Sequence, residues 1–413
     1  MNRNIIFRGL LGLAVSMAVL LLTPPPAHGQ AAQAFDVPAR VTIKSGVLGE
    51  ERVILVRTPP GYERGNERYP VLYMTDGDEQ IAHTISTVAF LARNDRIPEM
   101  IIVGITNTDR TRDLTPTNAS MPLPDGKAQP FPTSGGADKF LKFIETELIP
   151  NIESKYRVQP YRIFAGHSFG GLFAIHMMLS RPDLFNAYIA VSPSLFWDNE
   201  YELKRAEEFF KSHREWKKTL YLSLGNEPGN IQTSFNRFNE ILKQYQPKGF
   251  DWLSQQMMEE DHGSVVLRSH YAGLRKIFEG WQLPVDPATG NVVGGWRSIE
   301  EHYNKLTQKF GYELRTPEAL VNQIGYQLME AGNMDEAIAA FKANVERYPN
   351  SPNVYDSLGE AYENTGRTEL ARVNYEKAYT LGKEQNNPNT NVFKANFDRV
   401  SSAQAKPEAG TKK

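Results

Sequence analysis

Residues 161–171 read YRIFAGHSFGG, and this stretch decides the fold. Residues 161–165 (YRIFA) read as a short, largely apolar strand, and residues 172–179 (LFAIHMML) as a helix. Between them lies Gly166-His167-Ser168-Phe169-Gly170, a G-x-S-x-G pattern. A serine in that pattern must sit in a strained turn from strand to helix, with its hydroxyl exposed above the sheet. Gly166 and Gly170 carry no Cβ, so strand and helix can approach closely around the turn. The helix N-terminus beyond favours negative charge that develops nearby.

Working outward, short apolar runs alternate with amphipathic stretches. Residues 51–58 (ERVILVRT) alternate with period two, as an early strand does. Residues 69–75 (YPVLYMT) and 100–106 (MIIVGIT) are nearly continuous apolar runs, expected for strands buried on both faces. Further strands are read at 187–191, 219–224 and 251–259. Helices are read at 85–93, 137–156, 202–212, 233–245 and 265–281. This alternation predicts an α/β class with a mostly parallel sheet covered on both faces. Such sheets carry their sites in the loops at the C-terminal ends of strands.

The remaining chain differs in kind. Arg3 and Arg8 flank a basic start, and an apolar run at 9–22 leads to Ala27-His28-Gly29. That is the layout of a cleavable export signal, too short for the roughly 20 residues of a bilayer span. It predicts a periplasmic or secreted protein. Residues 282–297 are rich in Pro and Gly and read as a linker, followed by a helix at 298–310. Gly325, Gly332, Ala337 and Phe341 then recur 34 residues later as Gly359, Gly366, Ala371 and Tyr375. A period of 34 with small residues at helix crossings is the tetratricopeptide signature. The expected organisation is therefore a signal at 1–29, the α/β domain at 30–283, and a linker with its helix at 284–315. A small all-α repeat domain follows at 316–388, then a polar, disordered tail at 389–413. The repeats offer a surface for a protein partner or for self-association.

Composition removes several chemistries. There is no cysteine, hence no disulfide, thiolate metal site or cysteine nucleophile. Forty-six Lys and Arg against 48 Asp and Glu leave a net charge of −2, which argues against nucleic acid. No zinc-protease helix motif, P-loop or dinucleotide fingerprint occurs, so neither metal nor cofactor is expected.

A serine hydroxyl needs a base, and the base an orienting acid. Behind a G-x-S-x-G elbow the chain order is Ser, then Asp or Glu, then His. Of His262, His270 and His302, only His262 falls between the last strand and the last helix of the α/β region. Glu227 follows the strand at 219–224 and is the leading acid, with Asp198 and Asp251 as fallbacks. The backbone N–H of Phe169 is one oxyanion donor, and that of Asp78, after the strand at 69–75, the other. The acidic neighbours in Asp76-Gly77-Asp78-Glu79 are expected to point away or be paired. Arg110 and Arg112 are candidates for an anionic or catecholate substrate group, against a plain reading as loop arginines balanced by Asp109 and Asp113. Trp197 is either an acyl-pocket wall or core.

The segments Leu72-Tyr73-Met74-Thr75-Asp76-Gly77-Asp78, Gly166-His167-Ser168-Phe169-Gly170-Gly171, Ser192-Pro193-Ser194-Leu195-Phe196-Trp197 and His262-Gly263-Ser264-Val265 together resemble the Putative esterase family of α/β-hydrolases. That family takes in esterase D-like, feruloyl, acetylxylan and enterochelin esterases and mycolyltransferases. The likeness runs over about residues 40–281 and is nearest the enterochelin-esterase-like group. It implies an α/β-hydrolase fold, the triad order above, and Glu227 as the acid. The chain departs from the esterase D pattern in having Asp76-Gly77 where His-Gly is usual. The resemblance implies hydrolysis of carboxylic esters, with siderophore lactones, feruloyl or acetyl polysaccharide esters, or other small acyl esters as substrates. Its alternatives are acyl transfer by the same triad, or an inert scaffold acting through the repeats.

Overall fold

The computed structural model describes residues 37–122, 128–290 and 292–404. The export signal expected at 1–29 lies outside the described residues. The described strands are β1 (Ala39–Ser45), β2 (Glu50–Arg57), β3 (Tyr69–Met74), β4 (Ile101–Ile105), β5 (Ser120–Pro122), β6 (Ala128–Pro130), β7 (Val158–His167), β8 (Ala187–Val191), β9 (Glu215–Leu224) and β10 (Lys248–Gln256). Eight of them form one sheet in the order β1-β2-β4-β3-β7-β8-β9-β10. From β4 to β10 neighbouring strands are parallel, and β2 and β1 extend that edge antiparallel. β5 and β6 make a separate hairpin.

The apolar runs are explained by burial on both faces. In β8, Tyr188 and Ala190 enter one core, while Ala187, Ile189 and Val191 enter the other. Strand side chains alternate between faces, so a strand covered on both sides shows no polar alternation. On one face lie α3 (Ala137–Phe143), α4 (Ile149–Lys155), α5 (Phe169–Ser180), α6 (Trp197–Ser212) and α7 (Asn230–Tyr245). On the other lie α1 (Gly77–Arg93) and α8 (Val265–Ile277). The short α2 (Arg110–Leu114) follows β4. The helix expected at 137–156 is present as a continuous run of α3, a wide turn at Ile144–Leu148, and α4. Pro150 has no N–H and its ring crowds the carbonyl of Thr146, so the ladder widens there. β1 has no counterpart in the sequence reading, because it is an edge strand with most residues exposed.

The sheet presents its C-terminal strand ends in one row. The chain runs from β3 out to β4 and returns on the other side of β3 as β7. Ligand sites in open parallel sheets form at such a reversal. His167, at the end of β7, pairs with Val191, and Val191 pairs with Ser223 of β9. The loops after β3, β7, β8, β9 and β10 therefore meet along one edge.

The helical region differs from expectation at both ends. The helix read after the linker is α9 (Trp296–Phe310), and it packs on the α/β domain. Its Leu306 and Phe310, with Tyr312, complete the core around Tyr161 and Phe278. Its N-terminal end is tied to α11 through Trp296 and Arg297, both bound to Glu336. The repeats are α10 (Glu318–Glu330) with α11 (Met334–Arg347), and α12 (Pro352–Asn364) with α13 (Thr368–Glu384). A Cβ on Gly325 would lie 2.4 Å from Phe341, and one on Gly359 would lie 2.8 Å from Tyr375. The 34-residue echo is thus two copies of one contact, a glycine under an aromatic ring. The disordered tail expected at 389–413 is corrected: α14 (Thr390–Gln404) buries Phe393 and Val400 against this stack. Phe393, Phe397 and Val400 stand at helical spacing, a signal hidden among polar residues. Residues 405–413 lie outside the described set.

Because Phe310 closes the α/β core, Phe310→Ala is expected to destabilise the whole domain by about 3–5 kcal/mol. Urea unfolding followed by tryptophan fluorescence checks this; an effect confined to the repeats would show that α9 does not belong to that core.

Candidate active site

Ser168 is the turn between β7 and α5, with φ 59° and ψ −114°. Such a conformation costs a non-glycine residue on the order of 1–3 kcal/mol. It persists because its surroundings allow nothing else. Its N–H donates to the Val191 carbonyl at 2.9 Å, and its carbonyl accepts from Ser194 N–H at 3.2 Å. A Cβ on Gly166 would lie 2.1 Å from the Gly170 carbonyl oxygen, so no larger residue fits between strand and helix. Asp76 after β3 and Ser192 after β8 also have positive φ, at 54° and 41°. Strain is gathered at three strand ends around one point.

The expected base and acid are brought together. His262 Nδ1 bonds Glu227 Oε2. The two loops that carry them are joined by Asn226 N–H donating to the Glu260 carbonyl at 2.7 Å. Glu227 is only 8% exposed, whereas the His262 side chain is 45% exposed. Its other oxygen, Oε1, accepts from Ser192 Oγ at 2.6 Å and from Gly225 N–H at 3.0 Å. Burial alone would raise the Glu227 pKa, but the hydrogen bonds from His262, Ser192 and Gly225 outweigh it and hold the carboxyl below its ordinary value. Of the fallback acids, Asp251 pairs with Lys276 at 2.8 Å. Asp198 begins a left-handed turn in α6, with Asn199 and Glu200.

Ser168 Oγ is not hydrogen-bonded to His262 among the described residues; it lies 3.4 Å from Ser194 Oγ. Catalytic hydrogen bonds are often loose without substrate. His167 fixes the His262 loop instead. Its Nε2–H donates to the His262 carbonyl at 2.7 Å, and the two rings lie 4.6 Å apart. Burial, with His262 beside it, pushes the His167 pKa down to about 4, so it stays neutral near pH 7. The other two histidines are used elsewhere. His270 is buried against Thr84 and His83, and His302 donates to the Trp281 carbonyl at 3.0 Å.

Phe169 and Asp78 stand in the first turns of α5 and α1, where helix N–H groups lack intrahelical acceptors. The Asp78 side chain is exposed and Asp76 is buried, so the acidic neighbours point away or are paired as expected. Both arginines expected as candidates for a substrate group are engaged by carboxylates. Arg110 clamps Asp76 with Nε at 2.6 Å and Nη2 at 3.1 Å, and also donates to the His167 carbonyl at 2.9 Å. Arg112 binds Glu50 and Asp113, and Asp113 in turn holds the buried Arg52. Both guanidiniums are paired, and each side chain stays 32% exposed. Trp197 is buried, with Nε1 donating to Thr117 Oγ1 at 3.0 Å and its ring edge-on to Phe169 and Phe131. It supports the elbow from behind. Beside the site opens a cleft of about 400 Å³ lined by Phe196, Asp198, Asn199, Glu200, Asn230 and Thr233.

The family described as Putative esterase matches residues 45–262, more than half of the chain. The chain belongs to this family. The esterase is similar to the ferri-bacillibactin esterase BesA of Bacillus subtilis, at 32% identity over 198 residues, 44% of this chain and 68% of that one. It is similar to the siderophore triacetylfusarinine C esterase of Aspergillus fumigatus, at 28% identity over 276 residues, 56% of this chain and 90% of that one. Among solved structures it resembles an IroE-like serine hydrolase from Shewanella oneidensis, with a TM-score of 0.61 and 32% identity over 73% of this chain and 95% of that one. A tetratricopeptide repeat matches residues 352–382, which are α12 and most of α13. The α/β domain is thus that of an ester hydrolase, followed by a helical region with tetratricopeptide character. The sequence reading passed over Ser192, Ser194 and His167 as working parts. The first two stood in the quoted Ser192-Pro193-Ser194 motif, but nothing local says which strand end lies opposite.

Two outcomes follow from these charges. Arg110→Met leaves the Asp76 carboxylate without its cation, for a loss of about 2 kcal/mol, less than for a fully buried pair because Arg110 is 32% exposed. KM for a neutral ester should hardly change; a large rise in KM with unchanged stability would restore the substrate-binding role. The folded pKa of Glu227 is depressed, so its contribution to stability is present above the ordinary carboxylate pKa and is lost as pH falls through the folded value. Thermal melts between pH 7 and 3 should show Glu227→Gln less pH-dependent than wild type, with the gap closing on acidification.

Proposed function

We propose that this esterase hydrolyses its substrate through an acyl-enzyme built on Ser168, with His262 as general base and Glu227 as the orienting acid. The observation that carries the reading is the buried Glu227 carboxylate bound to His262 Nδ1 beside the strained Ser168 elbow. With Nδ1 engaged by a carboxylate, Nε2 is the nitrogen left to take the Ser168 proton. A rotation of the Ser168 side chain from Ser194 toward His262 completes the pair. The hydroxyl then attacks the ester carbonyl, and the oxyanion is received by the N–H groups of Phe169 and Asp78. His262 returns the proton to the leaving alcohol. Water, deprotonated by the same histidine, releases the acid. The openness of His262 supports hydrolysis over acyl transfer, since solvent reaches the base directly.

The substrate class we assign is a siderophore ester. Support comes from the relatives, whose names describe esterases of ferri-bacillibactin and of triacetylfusarinine C. The polar cleft beside the site suits a substrate rich in hydrogen-bonding groups.

Ser168→Ala should lower kcat on a p-nitrophenyl ester by at least about 10⁴-fold with an unchanged melting curve. A fluorophosphonate probe should label wild type at Ser168 only. Mass spectrometry of siderophore esters incubated with enzyme reads the substrate class. Turnover of p-nitrophenyl esters with every siderophore ester left intact would rule that class out.

A further inference from the structure

Ser192 is fully buried, at 0% exposed, where β8 ends. Its φ of 41° lies in the left-handed region, which a serine adopts only at a cost. Two contacts hold it there. Its N–H donates to the Ser223 carbonyl of β9 at 2.8 Å, and its hydroxyl donates to Glu227 Oε1 at 2.6 Å. Gly225 N–H occupies the same oxygen at 3.0 Å. A free glutamate presents two equivalent oxygens and turns between them. Here Oε1 carries two donors that do not titrate near neutral pH, and Oε2 carries only His262. The two oxygens are no longer equivalent, and the carboxylate plane is set.

We propose that Ser192 is a positioning residue for ester hydrolysis: it locks Glu227 so that Oε2 alone meets the catalytic histidine. The inference rests on the reading of Ser168, His262 and Glu227 as the triad. Ser192 touches no substrate and acts through Glu227. The strained backbone belongs to this role, because it turns the residue out of the strand while keeping its hydroxyl on the acid. The same tripeptide reaches the other end of the site. Two residues on, Ser194 N–H donates to the Ser168 carbonyl at 3.2 Å, and Ser194 Oγ lies 3.4 Å from Ser168 Oγ. Ser192-Pro193-Ser194 therefore spans from acid to nucleophile, and a shift at one end is felt at the other. Among charged or titratable groups, His262 faces Glu227 directly, and His167 and Asp261 flank His262.

The test uses the full-length protein and Ser192→Gly, which removes the hydroxyl while relieving the positive φ, with Ser192→Ala beside it. Each is made in the wild-type and Glu227→Gln backgrounds. Active enzyme is counted by end-point fluorophosphonate labelling, and folding by thermal melts. In the wild-type background Ser192→Gly should lower kcat about tenfold, the size of one hydrogen bond to a charged group, with KM within about twofold. The acidic limb of kcat/KM should move to higher pH, because a carboxylate relieved of one donor holds the imidazolium more strongly. In the Glu227→Gln background the same change should add little. Wild-type kcat and an unmoved limb in Ser192→Gly would overturn the proposal, and so would an equal loss in both backgrounds. If Glu227→Gln itself keeps wild-type activity, the triad reading falls first, and this outcome is distinct from a silent Ser192→Gly.

Discussion

Ser168 holds its backbone at φ 59°, and the parts around it that matter most serve to keep it there. The neighbouring strand supplies the restraint: Val191 accepts its N–H, and Ser194, just beyond that strand, donates to its carbonyl. The restraint works because parallel strands in register bring successive strand ends side by side. Without β8 the turn would relax, and the serine would sink toward an ordinary helix start. The absence of a Cβ at Gly166 is the companion condition, since strand and helix touch at 2.1 Å from where that atom would stand. The sheet reverses direction of growth at β3, between β4 and β7, so the turn after β7 stands at that reversal.

Charge is organised around that turn in two closed sets. One is Asp76 with Arg110 and Asn107, which ties the loop after β3 to the carbonyl of His167. A buried carboxylate would be unfavourable unpaired, and the bidentate guanidinium neutralises it. The other is Glu227 with His262, Ser192 and Gly225, where three donors leave the acid ionised in spite of burial. The contrast in exposure between Glu227 and His262 suits their positions. Glu227 is fixed and dry, while His262 opens to solvent.

The helical region is attached by packing rather than by a bare tether. Phe310 and Tyr312 enter the aromatic group with Tyr161, Phe278 and Trp281 under the sheet. Tyr161 stands early in β7, so the strand leading to Ser168 is buttressed at its far end by residues about 150 positions later in the chain. The first repeat is joined to α9 by Glu336, and α14 closes the last repeat with Phe393 and Val400.

The sequence by itself determined the strand–elbow–helix at 161–171, the alternation that makes the sheet, and the 34-residue echo of Gly325 in Gly359. These are local: a turn that needs glycine, runs that need burial on both faces, a ring that needs a glycine beneath it. His262 and Glu227 were also legible as candidates, because strand order restricts which loops can reach the elbow, and the structure brings the two into contact. What only the tertiary structure decided is who pairs with whom. Asp109 and Asp113 stood as the nearby counter-charges of Arg110 until Asp76, 34 positions earlier, was found against it. Ser192 looked like an ordinary strand end until β9 set Glu227 opposite its hydroxyl. The helix read at 298–310 had no assigned partner in the α/β domain until Phe310 filled the space beside Tyr161. In each case the deciding partner is distant in the chain, and hydrogen bonds and close packing act only over a few ångströms in space. No local pattern carries that information; the register of the sheet does.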